Sequence, residues 1–190
     1  MSEIELAMHL KTSTRNITYT RRKFTFGLGL SALVPGACAQ DKSPSEAALE
    51  ALAPAMPRVG EVLKVPSIRL LTGQDFQQER QPLLLYWWSS TCPFCALQSP
   101  SMQALWQAQK SRGLRMLALS IDKKPEDAQA YLQKRGYTFP SAWASSEWRK
   151  NFPKPKGLPI TLLMDGNHKV LMAEKGQMFA EDVEAILRLL

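Results

Sequence analysis

Apolar runs alternate with amphipathic stretches along most of this chain. "SIRLL" (67–71), "PLLLYWW" (82–88) and "LRMLALSID" (114–122) are short, continuous runs of large apolar side chains, which is how strands read when both faces are covered. The polar "GQDFQQERQ" between the first two predicts a helix or a loop. "SPSMQALWQAQKSR" sets Met102, Leu105 and Trp106 at helical spacing and ends near Gly113. "KPEDAQAYLQKRG" opens with Pro125 and two acids and stops at Gly136, so it predicts a capped helix. "PITLLMD" and "HKVLMAE" flank a turn and predict an antiparallel hairpin, and "AEDVEAILRLL" places Val183, Ile186, Leu187 and Leu190 on one helical face. Strands separated by helices imply an α/β fold. Its central sheet is mixed, parallel in the middle with an antiparallel edge, and has helices on both faces.

The pattern changes upstream of Val59. "DKSPSEAALEALAPAMPR" (41–58) mixes alanine with Pro, Ser and charge, so residues 40–58 predict a spacer with one short helix at Ser45–Leu52. Residues 59–190 are then the folded domain. Residues 1–39 predict an export signal: Arg21, Arg22 and Lys23 precede an apolar stretch from Phe24 to Val34, followed by Pro35 and small residues. The stretch is too short to span a bilayer. "TRRKF" resembles a twin-arginine signal, although Thr25 and Phe26 depart from the Leu and Lys that usually follow. Ala37 and Ala39 predict cleavage after Ala39, which discards Cys38. The competing reading acylates Cys38 as a lipoprotein anchor, and Pro35 argues against it. Both readings put the mature chain in the periplasm or otherwise outside the cytoplasm, without an integral membrane span.

At 190 residues the chain is of one-domain size. Its formal charge is +7, but beyond residue 39 the basic excess falls to four and is spread along the chain. That distribution does not predict a nucleic-acid partner.

Only three cysteines occur, and two of them form "CPFC" at Cys92 and Cys95, where an apolar strand gives way to a helix. A structural metal site needs about four ligands. The other candidates, His9, Cys38 and His168, lie in the leader and in the hairpin, so neither a metal nor any other cofactor is predicted. A staple across so small a loop removes little entropy from the unfolded chain. A redox couple remains. A helix N-terminus presents free N–H groups that favour a thiolate, Pro93 suits the first turn, and Cys95 lies one turn on, close enough to close a disulfide.

With Trp88 four residues before Cys92, then "CPFC", then "GLPITLLMDGN", residues 59–190 resemble the thioredoxin superfamily, most nearly its exported TlpA/ResA-like thiol-disulfide oxidoreductases. The resemblance implies a thioredoxin-like fold. It makes Cys92 the attacking thiol, Cys95 the resolving thiol and Pro159 a cis-proline facing them, and has Trp88, Pro93, Phe94 and Leu158 receive the substrate. It implies protein dithiols or disulfides as partners, a membrane electron donor if the protein is a reductant, and cytochrome c maturation among its roles. Three positions depart from the pattern. Tyr86 replaces the buried Asp of thioredoxin, Gln98 replaces the Glu frequent in TlpA-like proteins, and Thr91 replaces a common Trp. The two carboxylates that would take a proton from Cys95 are thus missing. Lys154 and Lys156, near Pro159, read as solvated loop charges or as stabilisers of the Cys92 thiolate.

Two alternatives stay open. A thiol peroxidase shares the fold, but its Pro-x-x-x-Thr-x-x-Cys pattern meets Leu85 and Ser89 here. A non-enzymatic metal- or partner-binding module also shares it, yet no His accompanies the cysteines.

Overall fold

Six consecutive buried residues, Leu83–Trp88, form β3 at the centre of a five-stranded sheet. The computed structural model describes residues 45–190, so the expected export signal, its cleavage site and Cys38 lie outside the described residues. In chain order these residues form α1 (Glu46–Ala51), β1 (Ile68–Arg69), β2 (Asp75–Phe76), β3, α2 (Pro93–Gln109), β4 (Arg115–Ser120), α3 (Pro125–Arg135), β5 (Ser141–Trp143), β6 (Ile160–Met164), β7 (Val170–Lys175) and α4 (Ala180–Ala185). The main sheet runs β5-β4-β3-β6-β7, with β3, β4 and β5 parallel and the β6–β7 hairpin antiparallel on the other side. The expected α/β architecture with a mixed sheet is present.

Helix placement follows from the connections. The steps β3-α2-β4 and β4-α3-β5 move the same way across the sheet, and right-handed crossovers therefore set both helices on one face. Leu84, Tyr86 and Trp88 point to that face and pack with Met102 and Leu105 of α2, Ala128 of α3 and Val183 of α4. Leu83, Leu85 and Trp87 point the other way. Val65, Ile68, Phe76, the partly buried Met56 and Leu63, and the one-turn 3-10 helix Trp148–Lys150 cover them. Both faces are thus covered as expected, but α2, α3 and α4 share one of them. Trp87 stacks on Phe152 at 6.1 Å, and Trp88 meets Tyr131 at 5.4 Å and Phe139 edge-on at 6.4 Å.

Differences from the sequence pattern have local causes. The polar stretch after Leu71 holds a two-residue strand, β2, which pairs antiparallel with β1 and buries Phe76. β5 is three residues long, too short for its alternation to be seen. The C-terminal helix tightens to 3-10 after Ala185; Val183 and Ile186 are buried while Leu187 and Leu190 are exposed. Helix α3 starts at Pro125 and stops at Gly136, whose φ of 68° makes the left-handed cap that its sequence predicts. Helix α1 occupies the short helix expected at Ser45–Leu52, with Ser45 as its N-cap. The segment around it does more than space. Glu46 and Glu50 bond to the domain, and Met56 packs on the face that carries Trp87.

Candidate redox site

Strand β3 ends at Trp88, and four residues later Cys92 caps α2. Its Sγ accepts from Cys95 N at 3.1 Å, and Pro93 fills the first turn. The cysteines form a disulfide with Cα atoms 5.2 Å apart. They are unequally placed: Cys92 is half-buried at the surface, whereas Cys95 is 1% exposed. An attacking reagent meets Cys92 first.

Register brings the second motif to the same end of the sheet. β6 runs antiparallel to β3 with Trp87 opposite Ile160, so Pro159 lies beside the end of β3 that leads into Cys92. The Leu158–Pro159 bond is cis, and the Pro159 carbonyl accepts from Gly176 N at 2.9 Å. Leu158 shares with Cys92 an open groove of about 910 Å³, which Asp122, Lys123, Tyr131, Trp143 and Arg149 also help to line. Pro93 and Phe94 are exposed at the start of α2, and Phe94 is joined by exposed Leu97 one turn on. Trp88 is different. It is fully buried on Tyr131 and Phe139, so it supports the site from beneath and cannot meet a substrate there.

The two departures at carboxylate positions are built into the packing. The hydroxyls of Tyr86 and Ser99 lie 3.2 and 2.7 Å from the Cys95 carbonyl oxygen, and burial pushes the Tyr86 phenol well above its usual range. Gln98 is fully buried. Its Nε2 donates to Thr161 Oγ1 at 2.9 Å, and its Oε1 accepts from Met178 N at 2.8 Å.

Two groups near the site were not legible in the sequence. The Asp122 carboxylate is buried and accepts from Ser89 Oγ at 2.8 Å, from Ser90 Oγ and N at 2.7 and 3.0 Å, and from Ser120 Oγ at 2.7 Å. It thereby fixes the turn before Cys92. A lone acid ending an otherwise buried strand, as in "ALSID", was the available signal. The second group is Lys154. It is neither a solvated loop charge nor directed to Cys92: it is buried and donates to Glu50, Pro155 O and Gly157 O.

The comparisons with known proteins agree with this geometry. Residues 64–175 match the AhpC/TSA family. The chain belongs to that family. The thiol-disulfide oxidoreductase ResA of Geobacillus kaustophilus is 28% identical over 102 residues, which are 54% of this chain and 59% of that protein. The match thus spans less than two thirds of the relative's length. Among solved structures, StoA from Bacillus subtilis superposes with a TM-score of 0.56 at 21% identity, covering 67% of this chain and 97% of that one. A thiol:disulfide interchange protein of the thioredoxin family from Chlorobium tepidum gives 0.62 at 17% identity, covering 70% and 97%. These likenesses establish a thioredoxin-like fold for this family member.

Proposed function

We propose that this protein is an exported thiol-disulfide oxidoreductase that exchanges its Cys92–Cys95 pair with protein dithiols or disulfides. The observation that carries the reading is the asymmetry of the pair, an accessible sulfur at a helix N-terminus joined to a buried one a turn inside. In the reduced protein the Cys92 thiolate attacks a partner disulfide. One partner sulfur bonds to Cys92, and the other leaves as a thiolate and takes up a proton. Cys95, deprotonated, then attacks Cys92 Sγ. The intramolecular disulfide forms, the second partner sulfur departs, and two electrons have passed to the partner. Run backwards, the same steps oxidise a partner dithiol. Phe94 and Leu158 flank Cys92 and would meet the partner chain. In the reductive direction a membrane electron donor recharges the pair, and cytochrome c maturation is a role consistent with that flow.

The test uses Cys95→Ser and Cys92→Ser in the mature chain with insulin as partner. Cys95→Ser should accumulate a mixed disulfide through Cys92, and Cys92→Ser should form none. Trapping through Cys95 instead would reverse the roles, and rapid consumption of hydrogen peroxide without insulin turnover would favour the peroxidase. Export is tested by the mature N-terminus, expected at Gln40; an acylated Cys38 would replace that expectation with a lipid anchor.

A further inference from the structure

The Leu158–Pro159 loop is held by a residue far outside it. Lys154 Nζ donates to Pro155 O at 2.8 Å, Gly157 O at 3.1 Å and Glu50 Oε2 at 2.9 Å, while Glu50 Oε1 accepts from Gly157 N at 2.7 Å. Both carboxylate oxygens of a residue in α1 are therefore spent on the four residues leading into Leu158. Gly157 itself has a φ of 96°, a left-handed conformation that glycine adopts without strain, so the turn into Leu158 is made at the residue Glu50 holds. A few residues earlier, Glu46 grips the buried Arg149 through both oxygens, at 2.8 and 2.7 Å. Glu46, Arg149 and Leu158 line the same groove as Cys92.

Core packing does not explain α1. None of its side chains is buried, and a helix of six residues is not stable by itself in water. It is held through its glutamates, and each glutamate ends on a buried cation that would be costly to leave unpaired.

We infer that α1 belongs to the redox site: Glu50 is a positioning residue for the Leu158–Pro159 loop, and Glu46 with Arg149 forms one wall of the groove that receives the partner protein beside Cys92. This rests on the exchange reading above. The helix acts on how a folded partner is seated and leaves the sulfur chemistry of Cys92 to α2. It lies before residue 64, outside the residues that match the family.

The experiment compares the mature protein with Glu50→Gln and Glu46→Gln, in three measurements. Insulin turnover should show KM raised about tenfold by Glu50→Gln with kcat little changed, within the roughly hundredfold that about 1 Å of misplacement can cost. Alkylation of reduced Cys92 by iodoacetamide should keep its rate. Amide exchange at Gly157 and Leu158 should accelerate in Glu50→Gln, whereas Glu46→Gln should raise KM without loosening Gly157. An unchanged KM in both variants, with α1 amides exchanging freely, overturns the inference. So does an equal fall in insulin turnover and alkylation together with a lowered melting temperature, which would mark a purely structural role. If the unaltered protein fails to turn over insulin, the exchange reading fails, and protection at Gly157 still decides whether Glu50 holds the loop.

Discussion

At the scale of single residues, Gln98 shows how a missing acid is replaced. Its amide is used at both ends, as donor to Thr161 and acceptor from Met178 N. A carboxyl group fits the same place, because the Thr161 hydroxyl donates as readily as it accepts. Gln98→Glu should therefore fold and restore a proton acceptor one turn beyond Cys95. Resolution of a Cys92 mixed disulfide should quicken at neutral pH by up to about a hundredfold, the lower end of what positioned general bases contribute, and the gain should fade as pH rises and Cys95 ionises unaided. Full burial raises the new carboxyl above its unfolded value, so the variant is stable below that unfolded pKa and loses stability as pH rises through the folded one. Single-turnover decay across pH checks the first effect and urea unfolding across pH the second. Equal decay rates in the two proteins at and below neutral pH would mean that water already carries the proton. The cysteines were legible because spacing and a strand-to-helix boundary are local. Asp122 and Glu50 were not, since their partners Ser89 and Gly157 lie 33 and 107 residues away.

At the scale of elements, legibility follows whether an element carries its own boundaries. Helix α3 does, with Pro125 at one end and Gly136 at the other. β5 does not, being defined by its ladder to β4. Helix α1 is visible as a helix, yet its docking depends on charges elsewhere, and this makes it sensitive to acid. Burial pulls the Glu50 carboxyl up, but the Lys154 hydrogen bond, the Gly157 N–H and the charges of Lys154 and Lys156 outweigh it and hold the group below its ordinary value. Arg149 and Lys150 line the same small cavity, each paired with a glutamate of its own, Glu46 and Glu147. The stabilisation is therefore present above the unfolded carboxylate pKa and is lost as pH falls through the lowered folded value. Helix α1 should release in acid before the sheet unfolds. The Gly157 amide shift, followed downward from neutral pH, should report a titration that Glu50→Gln abolishes. A shift that stays flat until β3 itself unfolds would show that α1 is held by something else.

At the scale of the whole molecule, the sheet is covered by segments on either side of the matched residues, and stability should depend on both. Residues 64–175 contain the whole five-stranded sheet with α2 and α3, so they look self-sufficient on paper. The packing says otherwise. Met178, Val183 and Ile186 complete the face that holds Cys95, while Met56 and Leu63 help cover Trp87 on the other. Burial of a large apolar side chain is worth about 1.5–3 kcal/mol. Three such side chains at the C-terminal end alone approach the 5–15 kcal/mol by which a whole domain is typically stable. Their removal would also uncover apolar surface on α2 and leave Gln98 Oε1 without its Met178 partner inside the core. A chain trimmed to residues 64–175 should therefore lose its cooperative urea transition and bind a hydrophobic dye, whereas one ending at Leu190 and starting at Asp41 should unfold in a single step. A sharp transition at an undiminished urea midpoint in the trimmed chain would mean that the sheet, α2 and α3 hold themselves, and that the flanking segments serve only the groove.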